Sequence, residues 1–303
     1  MNWEKDFYGY WDAFVKEWHD NKALPSDEVT KAFVYRYLDE LPEPYIGSHK
    51  DAQMVVINYN PGASSEVEAG KFYSNLSPDT LIEHFRNACN HSYRQYISDK
   101  SPFKAETHGV KDEPSIKWWN QRCAWLKRFH GYFSKKPFEK ERIFALEMSP
   151  FHSLRWDDEI LSSSNFEQVV VRHIREKVIV PAVSAVIENN LPCVICVGLG
   201  IGGFLKEKLK MPLILAIKDG KLGSECRVVQ EWPKGRRGKP VKRTYMLLEL
   251  NVGSAEWKPY FNPEHRQGCT IPFLIIGSQG SNRLPGNDFE KFEKHEIVAR
   301  LKK

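Results

Sequence analysis

Residues 53–62 read Gln-Met-Val-Val-Ile-Asn-Tyr-Asn-Pro-Gly, an apolar run that ends in a turn. The apolar residues at 54–57 predict a strand buried on both faces, because short continuous apolar runs bounded by turn residues are typical of such strands. Pro61 fixes φ and Gly62 tolerates a positive φ, so a tight turn is expected after the strand. Taken alone, these residues fit an ordinary turn as well as a functional loop.

Three further apolar runs, at 142–148, 194–197 and 272–277, have the same character. Segments with a helical spacing of apolar residues lie between most of them. Buried strands that alternate with helices indicate a parallel sheet with helices on both faces. We therefore predict an α/β fold with three layers, α/β/α, around a mainly parallel central sheet.

The domain organisation follows from the same patterns. The chain length suits one domain over residues 1–303, with a helical insertion at 75–140 and a basic hairpin at 228–250. Pro181 is expected to kink or divide the helix in which it lies. Helices are predicted at residues 3–18, 26–41, 116–133, about 166–189 and from 288.

Three predicted strands end in polar loops, at 58–62, 149–153 and 277–283. In open parallel sheets the ligand lies outside the carboxyl ends of the strands. We therefore expect these loops to come together at one edge of the sheet and to form the functional site.

The chain has 303 residues, of which 27% are charged, and a formal net charge of +5, so any surface for an anionic partner must be local. Cys193 and Cys196 form a C-x-x-C, but their apolar surroundings favour structural thiols over a metal or cluster site. No apolar run reaches the roughly 18 residues that a membrane span needs. The charged, aromatic N-terminus does not have the pattern of a signal peptide. We expect a cytoplasmic protein with no membrane partner.

Val-Val-Ile-Asn-Tyr-Asn-Pro-Gly, residues 55–62, resembles the first motif of the uracil-DNA glycosylase superfamily. Aspartate-type members carry Gly-Gln-Asp-Pro-Tyr and mismatch-specific members Gly-Leu-Asn-Pro-Gly, so the chain is similar to the asparagine branch. The resemblance implies that Asn60 positions the attacking water. It also implies that Gly62 stands where uracil-specific members place a tyrosine against C5 of the base, which leaves room for a 5-substituted pyrimidine.

The resemblance further implies a pocket for the flipped base. Tyr73 lies at the spacing where the superfamily keeps an aromatic that stacks on that base, although a core aromatic fits equally well. An asparagine that members keep near Ser149 is absent. Glu147 is able to accept a hydrogen bond from an exocyclic amine, and His152 is able to donate or accept one, although a lone loop histidine is more often structural. The predicted pocket residues are Asn58, Tyr59, Pro61, Gly62, Tyr73, Glu147, Ser149 and His152.

Two segments are predicted to contact DNA. Residues 277–285 resemble the second motif of the mismatch-specific branch, with Ser281 where the family places the wedge that fills the gap left by the flipped nucleotide. Residues 234–243 carry six basic side chains, which suit phosphate contact, although a solvated turn would have the same composition. The predicted DNA-binding residues are Gly280, Ser281, Asn282, Arg283, Arg236, Arg237, Lys239, Lys242 and Arg243.

The resemblance implies a monofunctional DNA glycosylase that takes a nucleotide out of double-stranded DNA and hydrolyses the N-glycosidic bond of a 5-substituted, hypermodified pyrimidine. Some superfamily members defend bacteria by removing glucosylated hydroxymethylcytosine from phage DNA, and we expect a base of that kind here. The chain is expected to act as a monomer without metal or cofactor. Two alternatives stay open: a non-catalytic nucleic-acid-binding protein on the same fold, and a nucleotide-binding α/β enzyme built around the glycine-rich segment 198–203.

Overall fold

The computed structural model describes residues 2–21, 25, 27–33, 42–59, 77–86, 113–151, 167–218, 221–222, 230–231, 242–265, 268–278 and 296–302. Within these ranges the chain forms one mixed sheet covered by helices. The strands are β1 (Tyr45–Ile46), β2 (Met54–Asn58), β3 (Ile143–Glu147), β4 (Val194–Val197), β5 (Leu213–Lys218), β6 (Lys221–Leu222), β7 (Gln230–Glu231), β8 (Lys242–Asn251) and β9 (Thr270–Ser278).

The strand order is β1-β3-β2-β4-β9-β8-β5-β6, and β7 pairs with β8. The central strands β3, β2, β4 and β9 are parallel to one another. The outer pairings, including β1 with β3 and β8 with β9, are antiparallel. The α/β class and the parallel centre of the sheet are therefore confirmed, and the antiparallel strands are confined to the two sides.

The described helices are α1 (Trp3–Asn21), α2 (Glu28–Ala32), α3 (Pro78–Arg86), α4 (Glu113–Phe133), α5 (Glu167–Ile174), α6 (Val180–Glu188), α7 (Leu199–Glu207) and α8 (Glu296–Leu301). None of these helices is long and apolar enough to cross a membrane. The predicted helices at 3–18 and 116–133 correspond to α1 and α4. The predicted helix from 288 corresponds in part to α8, and residues 288–295 lie outside the described ranges.

Successive residues of a strand point to opposite faces of the sheet, and the buried central strands carry apolar side chains on both faces. Helices therefore pack on both faces of the sheet. Val55 and Ile57 share a core cluster with the aromatic face of α1. Val56 lies in a second cluster, where it packs with Trp125 and Phe129 of α4. The second half of the predicted insertion at 75–140 therefore supplies one layer of the domain.

The predicted helix at 26–41 is wrong at its C-terminal side. Asp27 caps the helix, because its Oδ1 accepts a hydrogen bond of 2.6 Å from the backbone N–H of Thr30. The chain leaves the helix at Phe33, whose ψ is 130°. Residues 34–41 lie outside the described ranges.

Pro181 changes the winding of its helix without ending it. Between α5 and α6, residues Arg175–Ile179 form one π-helical turn, and the N–H of Val180 donates to the carbonyl of Arg175. Proline has no N–H to donate, and its ring crowds the carbonyl four residues earlier, so a wider turn just before Pro181 accommodates it. The helical segment is therefore not divided at Pro181, and a π-turn precedes the proline.

His173 of α5 makes the stability of the core dependent on pH. Its ring lies between Trp11 and Phe33, at centroid distances of 5.7 and 5.5 Å, and burial lowers its pKa to about 3, with a smaller contribution from Lys177. Below pH 6.5 the unfolded chain therefore binds a proton on His173, whereas the folded chain keeps this side chain neutral until the pH approaches 3. The stabilising contribution is complete above pH 6.5 and is lost as the pH falls toward 3.

We expect acidification from pH 6.5 to pH 5 to cost about 2 kcal/mol of unfolding free energy through His173. His173→Phe keeps an aromatic ring in the same place and removes the titrating group, so its unfolding free energy should change less over this range. Urea unfolding of both proteins at the two pH values measures the difference. An equal pH dependence in both proteins would contradict the assignment.

Candidate active site at the carboxyl edge of the sheet

The carboxyl ends of the central strands lie along one edge of the sheet. Because β3, β2, β4 and β9 are parallel, this edge carries Glu147, Asn58, Val197 and Ser278. The loops predicted to converge follow three of these strands, so their convergence is confirmed for the described residues that begin them. This row of strand ends is called the carboxyl edge below.

Asn58 and Glu147 form a buried polar pair at this edge. They are register partners on β2 and β3, and Asn58 Nδ2 donates a hydrogen bond of 2.9 Å to Glu147 Oε1. The two residues are only 2% and 5% exposed. A carboxylate oxygen accepts, so the amide nitrogen must face Glu147 and the amide oxygen must face away. Asn58 Oδ1 has no hydrogen-bond partner among the described residues.

Backbone hydrogen bonds extend the pairing of β2 and β3 into the following loops. The N–H of Met148 donates to the carbonyl of Asn58 at 3.0 Å, and the N–H of Ser149 donates to that of Tyr59 at 2.8 Å. The Ser149 hydroxyl accepts from the N–H of Phe151 at 3.4 Å. The polypeptide that leads directly into Asn60 is therefore held in place by its neighbour strand.

Tyr59 anchors this edge to α7. Its ring is 7% exposed and lies in the main core, and its hydroxyl accepts a hydrogen bond of 3.1 Å from the N–H of Ile201. Gly198 and Gly200 make room for the ring: a Cβ at these positions would lie 1.9 and 2.3 Å from Tyr59 atoms. Tyr59 belongs to the predicted pocket set, and the structure gives its ring a packing role.

The glycine-rich segment 198–203 lacks the surroundings of a dinucleotide site. Gly198, Gly200 and Gly203 do have the G-x-G-x-x-G spacing, but the N–H of Ile201 is occupied by Tyr59. The strand after α7 is β5, and β9 and β8 separate it from β4. In a dinucleotide-binding unit the strands before and after the helix belong to one parallel βαβ unit. Gly198 and Gly200 instead allow the close packing of the Tyr59 ring.

The basic hairpin begins and ends at the carboxyl edge. Gln230 and Glu231 of β7 pair with Arg243 and Lys242 of β8 in antiparallel register. Arg243 also pairs with Ser278, the last residue of β9. Residues 232–241 lie outside the described ranges. The backbone thus places Lys242 and Arg243 beside the strand ends that carry the candidate site.

Several predicted site residues lie outside the described ranges. The structure places Asn58, Tyr59, Glu147 and Ser149 together, and it places Lys242 and Arg243 by their backbone alone. The predicted residues outside the described ranges are Asn60, Pro61, Gly62, Tyr73, His152, Gly280, Ser281, Asn282, Arg283, Arg236, Arg237 and Lys239.

Cys193 and Cys196 are structural thiols. Cys193 packs in the cluster beneath α4, whereas Cys196 packs in the cluster on the opposite face of the sheet. Burial raises the pKa of both thiols, and neither forms a disulfide. Across the described part of the chain, no group of three or more His, Cys, Asp or Glu side chains is arranged to hold a metal ion.

Asn58→Asp should destabilise the fold in a pH-dependent manner. The introduced carboxyl would stand against Glu147, and two buried carboxylates at hydrogen-bond distance cannot both ionise. We expect the unfolding free energy at pH 7.5 to fall by about 3 kcal/mol, the usual scale for a buried uncompensated charge. The carboxyls of the unfolded chain ionise near pH 4, so the deficit should shrink as the pH falls toward 5.

Chemical denaturation at pH 7.5 and pH 5 checks this expectation. Asn190→Asp is the matched control, because Asn190 is exposed and lies at the opposite edge of the sheet. A deficit of equal size at both pH values would show that the charge of Glu147 is not involved.

Comparisons of the chain with protein-family models, with curated proteins and with solved structures found no match.

Proposed function

We propose that this chain is a DNA glycosylase that removes a modified pyrimidine with an exocyclic amino group. The buried Asn58–Glu147 pair carries the proposal, since it stands two residues before Asn60 at the edge where parallel sheets bind ligands. The resemblance of residues 55–62 to the glycosylase motif is an independent support. Lys242 and Arg243 begin β8 beside the same edge and would supply cations to a DNA backbone there.

The orientation of Asn58 supports a cytosine-type base. Its Nδ2 is used by Glu147, so the atom left for a ligand is the acceptor Oδ1. Cytosine bears an amino donor at C4, whereas uracil and thymine bear an oxygen acceptor there. The acceptor Oδ1 of Asn58 therefore favours a base with an amino group at C4 and disfavours uracil.

In the proposed reaction Asn60 orients a water molecule toward C1′ of the flipped nucleotide. The C1′–N1 bond breaks with both electrons going to the base, and the water oxygen forms the new bond to C1′. Backbone N–H groups in the turn at 59–62 stabilise the negative charge on the departing base, which finally takes one proton of the water. The products are the free base and an abasic site.

Oligonucleotide duplexes that each contain one test base provide the experiment. The bases are uracil, thymine opposite guanine, 5-hydroxymethylcytosine and glucosylated 5-hydroxymethylcytosine, with unmodified cytosine as the control. We expect alkali-labile abasic sites with the glucosylated base and none with uracil or cytosine. Release of uracil in preference to the amino-bearing bases would refute the base assignment. Salt-sensitive DNA binding without base release from any duplex would instead favour the non-catalytic alternative.

A further inference from the structure

A second concave site lies at the opposite edge of the sheet, where the central strands begin. It is a cleft of about 790 Å³, lined by Met54 at the start of β2, Arg142 before β3, Pro192 before β4 and Thr270 at the start of β9. Strand β2 has five residues, so about 15 Å separate this amino-edge cleft from the carboxyl edge. The cleft is thus distinct from the proposed glycosylase site.

The lining of the amino-edge cleft is basic. It contains four cationic side chains, from Lys136, Arg142, Arg300 and Lys302, and one carboxylate, from Asp51. Within the described ranges Lys136 and Arg300 form no ion pair. The only intramolecular carboxylate contact of Arg142 in these ranges is with the half-exposed Glu139, at 3.1 Å. These cations are therefore largely available to a ligand.

The inner wall of the cleft holds a polar group whose burial is not compensated. His130, in the last turn of α4, is 6% exposed, and its Nδ1 lacks a hydrogen-bond partner among the described residues. Burial lowers its pKa, so the ring is neutral at pH 7. Burying a polar group without a partner costs free energy, so a hydrogen bond from a bound molecule to His130 would be favourable.

A structural role for the cations is the main competing explanation. Positive charges near the C-termini of α4 and α8 would stabilise the helix dipoles, and Lys302 lies 3.8 Å from the centroid of the Tyr132 ring. That explanation does not cover Arg142, which precedes a strand. It also predicts that removing the charges lowers stability without affecting any ligand.

We propose that the amino-edge cleft binds a small molecule with two or more phosphate groups, such as a nucleoside triphosphate. The volume falls within the roughly 300–1,000 Å³ of small-molecule sites. Guanidinium and ammonium groups suit a linear polyphosphate, since arginine binds phosphate oxygens through paired N–H groups. The strand ends at which we propose that DNA binds lie at the opposite edge of the sheet.

The test is isothermal titration calorimetry of the full chain with ATP, inorganic tripolyphosphate and adenosine. We expect ATP and tripolyphosphate to bind and adenosine not to bind. If ATP binds much more tightly than tripolyphosphate, the ligand is a nucleotide, and equal affinities indicate recognition of the phosphates alone. Failure of both phosphate compounds to bind at millimolar concentration overturns the proposal.

Charge-matched variants locate the binding. Arg142→Gln combined with Arg300→Gln should raise the dissociation constant for tripolyphosphate at least about tenfold. Lys206→Gln combined with Lys258→Gln removes two exposed charges elsewhere and should leave it unchanged. An equal loss in both pairs would show a net-charge effect and refute the site. Loss of binding in Arg236→Gln with Arg237→Gln would place the anion on the basic hairpin and equally refute it.

Base release from DNA is measured separately on the same proteins. Arg142 and Arg300 lie at the edge opposite the proposed glycosylase site, so their variants should retain whatever base-releasing activity the chain has. Failure of phosphate binding and failure of glycosylase activity are therefore distinguishable.

Discussion

Gly198→Ala is expected to lower the free energy of unfolding by about 3 kcal/mol or more. Gly198 has φ of +132°, a backbone conformation that side chains with a Cβ rarely adopt, and strain of this kind costs about 1–3 kcal/mol. The added methyl group would also stand 1.9 Å from Cε2 of Tyr59. Displacing a buried ring by overpacking costs about 1–3 kcal/mol more.

Gly203→Ala is the matched control. Gly203 lies in α7, the helix that Gly198 precedes as its N-cap, and a Cβ at Gly203 would meet nothing within 4 Å. Alanine is favoured over glycine within helices, so this variant should gain about 0.5–1 kcal/mol. Urea unfolding of both variants gives the comparison. A Gly198→Ala protein as stable as Gly203→Ala would show that Tyr59 and Gly198 are not packed as described.

The double variant Gly198→Ala with Tyr59→Ala separates the two causes. Removing the ring relieves the steric clash and leaves the backbone strain, so Gly198→Ala should cost less in the Tyr59→Ala background than in the parent. If the cost is equal in both backgrounds, the backbone conformation alone accounts for the effect.

The close packing of Tyr59 could not be predicted from the sequence. The strand at 54–57 and the turn after it follow from local composition, and both the strand and the edge to which it leads are as predicted. The direction of a single ring after the last strand residue depends on α7, which lies about 140 residues further along the chain. The glycine spacing at 198–203 indicates that another part of the chain approaches this segment closely, but it does not identify Tyr59 as the residue that does so.

The hydrogen bond between Asn58 and Glu147 in the candidate site could not be predicted from the sequence either. Both are predicted pocket residues near the ends of predicted strands, and strand ends at one edge are expected to meet. Their hydrogen bond depends on the register of β2 against β3, which pairs residues 89 positions apart. Composition does not fix that register. The orientation of the Asn58 amide, with Nδ2 toward Glu147 and Oδ1 away from it, therefore follows only from the folded chain.

The two helix predictions that failed or changed have local physical causes. At Phe33 the short α2 ends because its C-cap residue adopts an extended conformation that the apolar pattern did not signal. At Pro181 the sequence indicated an interruption, and the chain accommodates it through the preceding π-turn. The proline indicates that regular α-helical hydrogen bonding is interrupted, whereas the packing around it determines that the chain forms a π-turn.

Asn60→Ala is expected to have the largest effect on activity. A side chain that orients the attacking water contributes through positioning, and misplacing a reactant typically costs about 100-fold in rate. Urea unfolding of Asn60→Ala and of the parent separates a loss of activity from a loss of folded protein. Asn60→Asp, which supplies the residue of the aspartate-type members, should retain part of the activity.

The most direct test of the carboxyl edge as a glycosylase site is a single-turnover assay. It compares the parent, Asn60→Ala and the exposed control Asn262→Ala on a duplex containing one glucosylated 5-hydroxymethylcytosine. We predict abasic-site formation by the parent and by Asn262→Ala at similar rates, and a rate at least about 100-fold lower for Asn60→Ala. Formation of abasic sites by Asn60→Ala at the parental rate, or by none of the three proteins, would contradict the assignment.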